Sequence, residues 1–300
     1  IIPGEEVTVN NSRRRNMHAL VLDHPDYLPG SGDGGENPLK RSSELDLNAL
    51  SAELGHGTLL IAPHPMYPLP WLQRFVVRRD VWQLADLSHG AVAGLQILNG
   101  SLDEGFYRGL SAWKGLLLAG ERKFIYGGSD SHGDFNRFRT IKLPFISLLE
   151  DDSHVFGSCR TGVYGAQPGN LPDLLDGLRN GRCLVSTGPF MDMSIQSGDN
   201  MAHVGESITG SAVTISLTMA STPEFGPLKG WRLYRGEIGG DEQLAAEGLV
   251  VGRQFESNWT GDFSLAPGRY YFRAEVETKT VETAILPGLA LTNPVWVEAK

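Results

Sequence analysis

Cysteine is scarce in this sequence. Its 300 residues hold two, Cys159 and Cys183, which excludes a disulfide framework and a Cys-rich zinc site and leaves the redox compartment open. No run of about 18 apolar residues occurs, so no membrane-spanning helix is expected. Positive charge is in deficit: 26 Lys and Arg face 35 Asp and Glu, a formal net charge of -9. That argues against a general nucleic-acid surface, which needs a basic stripe, and leaves room for a local cationic pocket. Internal repeats and low-complexity segments are absent. So are an initiator Met and a signal-peptide layout. Ile1-Ile2 reads as the end of a buried strand, so the sequence is expected to begin inside a domain, with any targeting segment upstream. What is present is ordinary: 41% hydrophobic and 20% charged residues describe a soluble globular chain, cytoplasmic or exported, of one large or two ordinary domains.

Up to about residue 189 apolar strands alternate with helices. Ala19–Leu22, Leu59–Ala62, Leu95–Leu98, Phe124–Tyr126 and Cys183–Ser186 are apolar runs of strand length. Helices are expected over 43–54, capped by Ser43, and over 80–87, 102–119 and 171–180. A loop rich in Gly, Pro and Asp spans 23–38, long enough to be functional or mobile. Continuous apolar strands interleaved with helices imply a parallel sheet covered by helices. In such folds active-site residues stand at the C-terminal ends of strands. From about Pro189 the texture changes to alternating segments such as Val213–Met219, Gly230–Tyr234 and Arg269–Val276, separated by turn signals. These imply a C-terminal antiparallel β-sandwich over 190–300.

The chemistry-bearing residues follow the apolar runs. Asp130 and His132 lie in Gly127-Gly128-Ser129-Asp130-Ser131-His132-Gly133, two apart, so an extended backbone points both to one side. A carboxylate and an imidazole converging there suit a divalent metal, although a polar turn after a strand would look the same. His64 ends another run between two prolines, and Glu6 and His18 lie on or near the first strands. Singly, each histidine reads equally as a structural residue. Five first-row ligand types (Glu6, His18, His64, Asp130 and His132) at successive strand ends make a metal site the better reading. Arg137, Arg139 and Arg160 could clamp an anionic group or be solvated surface arginines. Trp231, Tyr234, Trp259 and Trp296 read as core or rim aromatics. The sequons at Asn10, Asn99 and Asn258 read as chance.

Pro3-Gly4-Glu5-Glu6-Val7-Thr8, Met17-His18, Ala62-Pro63-His64-Pro65 and Gly128-Ser129-Asp130-Ser131-His132 resemble, in order and approximate spacing, successive motifs of the polymerase-and-histidinol-phosphatase (PHP) superfamily. The stretch from Leu178-Arg179-Asn180-Gly181-Arg182 to Ser186-Thr187-Gly188-Pro189 is similar to the branch containing carbaryl-hydrolase-like metallohydrolases. Leu291-Thr292-Asn293-Pro294-Val295-Trp296-Val297 is similar to that branch's ending. The resemblance implies an α/β fold: a seven-stranded PHP-type β/α barrel over 1–189 and a β-sandwich over 190–300. It also implies a centre of two or three divalent metal ions (zinc, manganese or iron). Carried over, Glu6 would be a bridging carboxylate, His18 and His64 would bind one metal, and Asp130 and His132 would complete the cluster. Glu6, His64, Asp130, Arg139 and Arg160 would form the catalytic set. The His-x-His pair that relatives carry on the first strand has no counterpart here. An upstream segment or a partner chain is therefore expected to complete the barrel.

These readings imply a metal-dependent hydrolase that acts on a small-molecule phosphoester, or an ester, through a metal-activated water. Neither nucleic acid nor membrane is an expected partner. The alternative is a catalytically inactive PHP-like scaffold or binding module with an incomplete metal site.

Overall fold

A computed structural model describes residues 2–32, 40–55, 57–131, 155–282 and 284–300, together with the backbone of 140–143 and 146–149. Of the described residues 43% lie in strands and 15% in helices. The chain divides into two compact units. The first comprises Ile1–Ile97, Asp103–Leu116 and Glu121–Phe124; the second comprises Leu98–Leu102, Leu117–Gly120 and Ile125–Lys300.

The chain opens with β1 (Gly4–Asn10), β2 (Asn16–Leu22), α1 (Leu47–Glu53), β3 (Leu59–Pro63), α2 (Trp71–Val76), α3 (Leu84–Leu87), β4 (Val92–Asn99), α4 (Glu104–Leu118) and β5 (Phe124–Gly128). In the first unit the sheet runs β1-β2-β3-β4 and continues into the start of β5. There Phe124 passes so close to Gly94 that a Cβ on Gly94 would stand 2.0 Å from its carbonyl oxygen. Only glycine fits that close approach. Strand period two is clear in the hairpin. Val7, Val9, Met17, Ala19 and Val21 are buried in the core, while Glu6, Thr8, His18 and Leu20 share the other face. Helix α4 seats its buried Trp113 in the same unit, where the indole N–H donates to the Lys123 carbonyl at 2.8 Å.

This topology overturns the β/α barrel. β1 and β2 pair antiparallel, as do β2 and β3, while β3 and β4 are parallel. Among the described residues no pairing closes the sheet back on β1. The physical reason lies in the connections. Residues 11–15 form a short hairpin turn, with the Asn11 N–H donating to the Arg15 carbonyl at 2.8 Å, and a connection that short can join only antiparallel strands. An apolar run buried on both faces reads the same in either direction, so composition did not settle strand polarity. Helices are also shorter than expected. Ser43 is buried and donates to the Thr8 carbonyl, so Asp46 caps α1 instead, accepting from the Ala49 N–H at 2.9 Å. Residues 80–83 lie outside the helix, because Asp80 is tied to the hairpin: its N–H donates to the Asn16 carbonyl at 2.8 Å and its carboxylate accepts from the Asn11 amide at 3.2 Å.

The second unit carries β6 (Thr140–Leu143), β7 (Ile146–Leu149), β8 (Arg160–Val163), α5 (Leu171–Arg179), β9 (Cys183–Ser186), β10 (Phe190–Ser197), β11 (Asn200–His203), β12 (Ser207–Thr209) and β13 (Ala212–Ala220). β14 (Leu228–Glu237), β15 (Glu242–Leu249), β16 (Glu256–Ser264), β17 (Gly268–Thr278), β18 (Leu289–Thr292) and β19 (Val295–Ala299) complete it. One sheet runs β11-β10-β13-β16. A larger one runs β12-β19-β17-β18-β9-β8, with β14 pairing β17 and β15. Both contribute to one apolar core: Met191, Met193 and Ile195 of β10 and Ile215 and Leu217 of β13 meet Leu233 of β14, Phe272 and Ala274 of β17 and Val295 of β19. β9 therefore belongs to this mixed sheet, beside β18 and β8, and not to a barrel wall. Among the described residues no helix is long and apolar enough to cross a membrane.

Candidate metal centre

Three of the five candidate ligands meet in the first unit. Thr8 stands opposite His18 and Glu6 opposite Leu20, so Glu6 and His18 are diagonal neighbours on one face of the hairpin. The Glu6 carboxylate oxygen Oε1 is in hydrogen-bond contact with Nδ1 of His18 and lies 3.1 Å from Nε2 of His64. The ligand atoms of the three all lie within 4.8 Å of one another. The two imidazoles meet edge to face, with centroids 5.5 Å apart.

His64 reaches this face only through its backbone. Leu20 pairs with Ile61, so continuing that register would set residue 63 on the Glu6 face and residue 64 on the opposite one. His64 instead has φ 33°, a left-handed conformation that a non-glycine residue adopts at a cost of about 1–3 kcal/mol. That turn, just past β3, swings the imidazole back beside Glu6. Side-chain exposures of 30% for Glu6, 17% for His18 and 12% for His64 describe a recessed site still reachable from water.

Arg79 is an unexpected neighbour of this group. Residues 78–80 run beside the start of β2: the Asn16 N–H donates to the Arg78 carbonyl at 3.1 Å, and the buried Asn16 amide donates to the carbonyls of Gly32 and Val77 at 2.9 and 2.7 Å. This pairing delivers the Arg79 guanidinium to 3.0 Å from Nδ1 of His18. The Trp82 indole N–H donates to the His18 carbonyl at 3.0 Å and holds the strand from the same segment. No motif marks Arg79, so only the tertiary pairing could reveal it.

The electrostatics follow from these contacts. Burial pushes the Glu6 carboxyl upward, but the hydrogen bonds and charges of His18 and His64 outweigh it and hold Glu6 well below the usual carboxylate range. For His18, burial lowers the imidazole pKa; Glu6 pulls it up, while Arg79 and His64 push it further down. The net shift favours the neutral ring, which keeps a lone pair on one nitrogen. An ionised carboxylate and a neutral imidazole are the protonation states that a divalent metal requires of its ligands. A carboxylate with two imidazoles is also a donor set of catalytic zinc and non-haem iron sites. The residues therefore fit a single divalent ion.

Two of the remaining candidates belong to the second unit. Asp130, in the second unit, has φ 49° and accepts from the Asn99 amide at 3.0 Å. Arg160 opens β8, where its guanidinium donates to the Gly157 carbonyl and lies 5.1 Å over the Phe225 ring, beside a cavity of about 360 Å³. Its neighbour Thr161 pins β5, exchanging hydrogen bonds of 2.9 Å with both backbone groups of Gly127. His132, Arg137 and Arg139 fall outside the described residues, as does part of the 23–38 loop. In the Ser186–Gly188 stretch the hydroxyls serve the backbone: Ser186 accepts from the Gly188 N–H at 2.8 Å and Thr187 donates to the Pro287 carbonyl at 2.6 Å.

Comparison with known proteins adds little to this geometry. No protein-family model matches the chain. Over 211 residues, 69% of the chain, it is 25% identical to glycerol kinase 5 of Danio rerio, and the match covers 32% of that protein. The chain thus spans about a third of the length of the curated relative that it matches.

Proposed function

We propose that the protein is a metal-dependent hydrolase acting on a small phosphoester, with Glu6, His18 and His64 holding a divalent ion of the zinc, manganese or iron class. The observation that carries this reading is the convergence of one carboxylate and two imidazoles within 4.8 Å. The resemblance of the Glu6, His18 and His64 segments to PHP motifs supports it. A metal bound there would acidify a water and supply the nucleophile.

The chain's own residues set the rest. Glu6, kept ionised, supplies the anionic ligand, and the neutral His18 ring supplies a nitrogen lone pair beside the His64 imidazole. Arg79, 3.0 Å from His18, offers guanidinium donors to an oxygen of a phosphoryl group seated beside that ring, where its fixed charge stabilises the more anionic transition state. The left-handed turn at His64 fixes the imidazole direction in advance.

The test is metal content followed by turnover. The purified chain is stripped with EDTA, dialysed against zinc, manganese or ferrous iron, and analysed for bound metal. About one equivalent of one of these ions is expected in the parent, with loss in both Glu6→Gln and His64→Ala. Hydrolysis of phosphomonoesters, phosphodiesters and aryl esters should follow the metal content. Failure of the parent to retain any of the three ions overturns the reading. Stoichiometric metal without turnover on any ester would leave a metal-binding module and no hydrolase.

A further inference from the structure

An acidic chain carries a concentrated positive patch on its first unit. The hairpin turn presents Arg13, Arg14 and Arg15 in succession, because the Asn11 side-chain oxygen accepts from the N–H groups of Arg13 and Arg15 at 3.0 Å each. Helix α2 ends beside that turn. The Arg15 guanidinium donates to the Arg74 carbonyl, and Arg41 donates to the carbonyls of Phe75 and Val76 at 3.0 and 3.2 Å. These two arginines satisfy carbonyls that a helix end leaves open, and so lock α2 onto the hairpin.

Among the described residues Arg13, Trp71, Arg74 and Phe75 carry no such task. Trp71 and Phe75, four apart and so on one face of α2, are each 72% exposed. Among the described residues no carboxylate pairs with Arg13 or with Arg74. Asp80 is the acid nearest Arg15, at 4.0 Å from Nε, but it is buried and already accepts from the Asn11 amide at 3.2 Å. Arg13, Arg15, Trp71, Arg74, Phe75 and Asp80 line one cavity of about 530 Å³, a volume in the small-ligand range. Planar guanidinium groups match phosphate oxygens in pairs. Exposed aromatic rings beside them offer a stacking face to a flat heterocycle.

We propose that this cavity binds a nucleoside phosphate, with the phosphate on Arg13 and Arg74 and the base stacked on Trp71 or Phe75. The site is separate from the Glu6, His18 and His64 centre and does not depend on it.

Isothermal titration of the full chain with AMP, adenosine and inorganic phosphate tests this, in EDTA so that no metal contributes. Saturable AMP binding is expected, with adenosine and phosphate each at least tenfold weaker. Arg74→Ala and Trp71→Ala should each weaken AMP at least tenfold, and His64→Ala should leave it unchanged. Arg13, Trp71, Arg74 and Phe75 are all exposed, and circular dichroism melts would confirm that the variants are folded; Arg13→Ala supplies an independent second variant. Four outcomes overturn the proposal. They are no saturable binding; phosphate binding as tight as AMP and indifferent to Trp71→Ala; AMP binding lost in His64→Ala but retained in Arg74→Ala; and a concentration-dependent dimer abolished by Trp71→Ala with no AMP binding, which would assign the patch to self-association.

Discussion

Replacing His64 by glycine and by alanine separates two roles that the residue combines. At φ 33° a Cβ is strained, so alanine retains the strain and glycine releases it. At ordinary backbone angles glycine is the less stable of the two by about 0.5–1 kcal/mol. Here the order should invert, with glycine ahead by about 1 kcal/mol. Both variants lose the 3.1 Å contact to Glu6, so that loss cancels between them. For a unit of roughly a hundred residues 1 kcal/mol corresponds to roughly 4–8 °C in Tm. In EDTA, His64→Gly should therefore melt several degrees above His64→Ala. Adding the metal that the parent retains, at a hundred times its Kd, stabilises the parent by about 2.7 kcal/mol, a rise on the order of 10 °C. Neither variant should follow, since two ligands hold the ion far more weakly. Scanning fluorimetry with and without metal reads both effects. An alanine variant as stable as the glycine variant in EDTA would refute the backbone argument. A metal-dependent rise equal to the parent's in both variants would remove His64 from the ligand set.

Further outcomes follow from the second unit. Arg273 is 1% exposed and donates to both Glu242 oxygens at 2.7 and 2.8 Å and to Glu275, with the Tyr234 ring 4.2 Å away. Arg273→Met leaves the buried Glu242 without its cation and should cost about 3–5 kcal/mol in urea denaturation, whereas Arg273→Met with Glu242→Leu should recover most of it. Asn293 is fully buried; its side-chain oxygen accepts from the Ile125 N–H at 2.8 Å, and its amide donates to the carbonyls of Ile125 and Cys183 at 3.2 Å each. Asn293→Ala strands those groups and should cost on the order of 3 kcal/mol by the same measurement. Burial raises the Cys159 thiol to about 11 and the Cys183 thiol to about 12, so neither should react with Ellman's reagent at pH 8 until the chain is denatured, when both should. Because these pKa values are raised on folding, the protonated thiols contribute stability that is complete below the unfolded-state value and is lost as pH rises through 11–12; alkaline melts should show that loss.

Part of the candidate site's local geometry can be read from the sequence. Period two within Gly4–Asn10 and Asn16–Leu22 separates Val7, Val9, Met17, Ala19 and Val21 from Glu6 and His18, and that division depends only on strand geometry. The apolar runs at 59–62, 95–98 and 183–186 lie within strands because side chains of that kind must be buried. Polarity was another matter. Interleaved helices suggested parallel pairing, yet β1, β2 and β3 run antiparallel, since hydrophobic content carries no direction and the short 11–15 turn does. Helices α1 and α3 begin later than the local pattern predicts for a related reason: Ser43 and Asp80 are engaged by distant backbone groups, which no local rule can see.

Residue type alone therefore determined which side chains could hold a metal, because ligand chemistry belongs to the side chain. The turn beside His64 and the arrival of Arg79 at His18 were decided by tertiary structure. The first depends on a backbone angle that overrides the strand's alternation. The second depends on a hydrogen-bonded pairing between segments about sixty residues apart. Both are properties of contacts that exist only once the chain has folded.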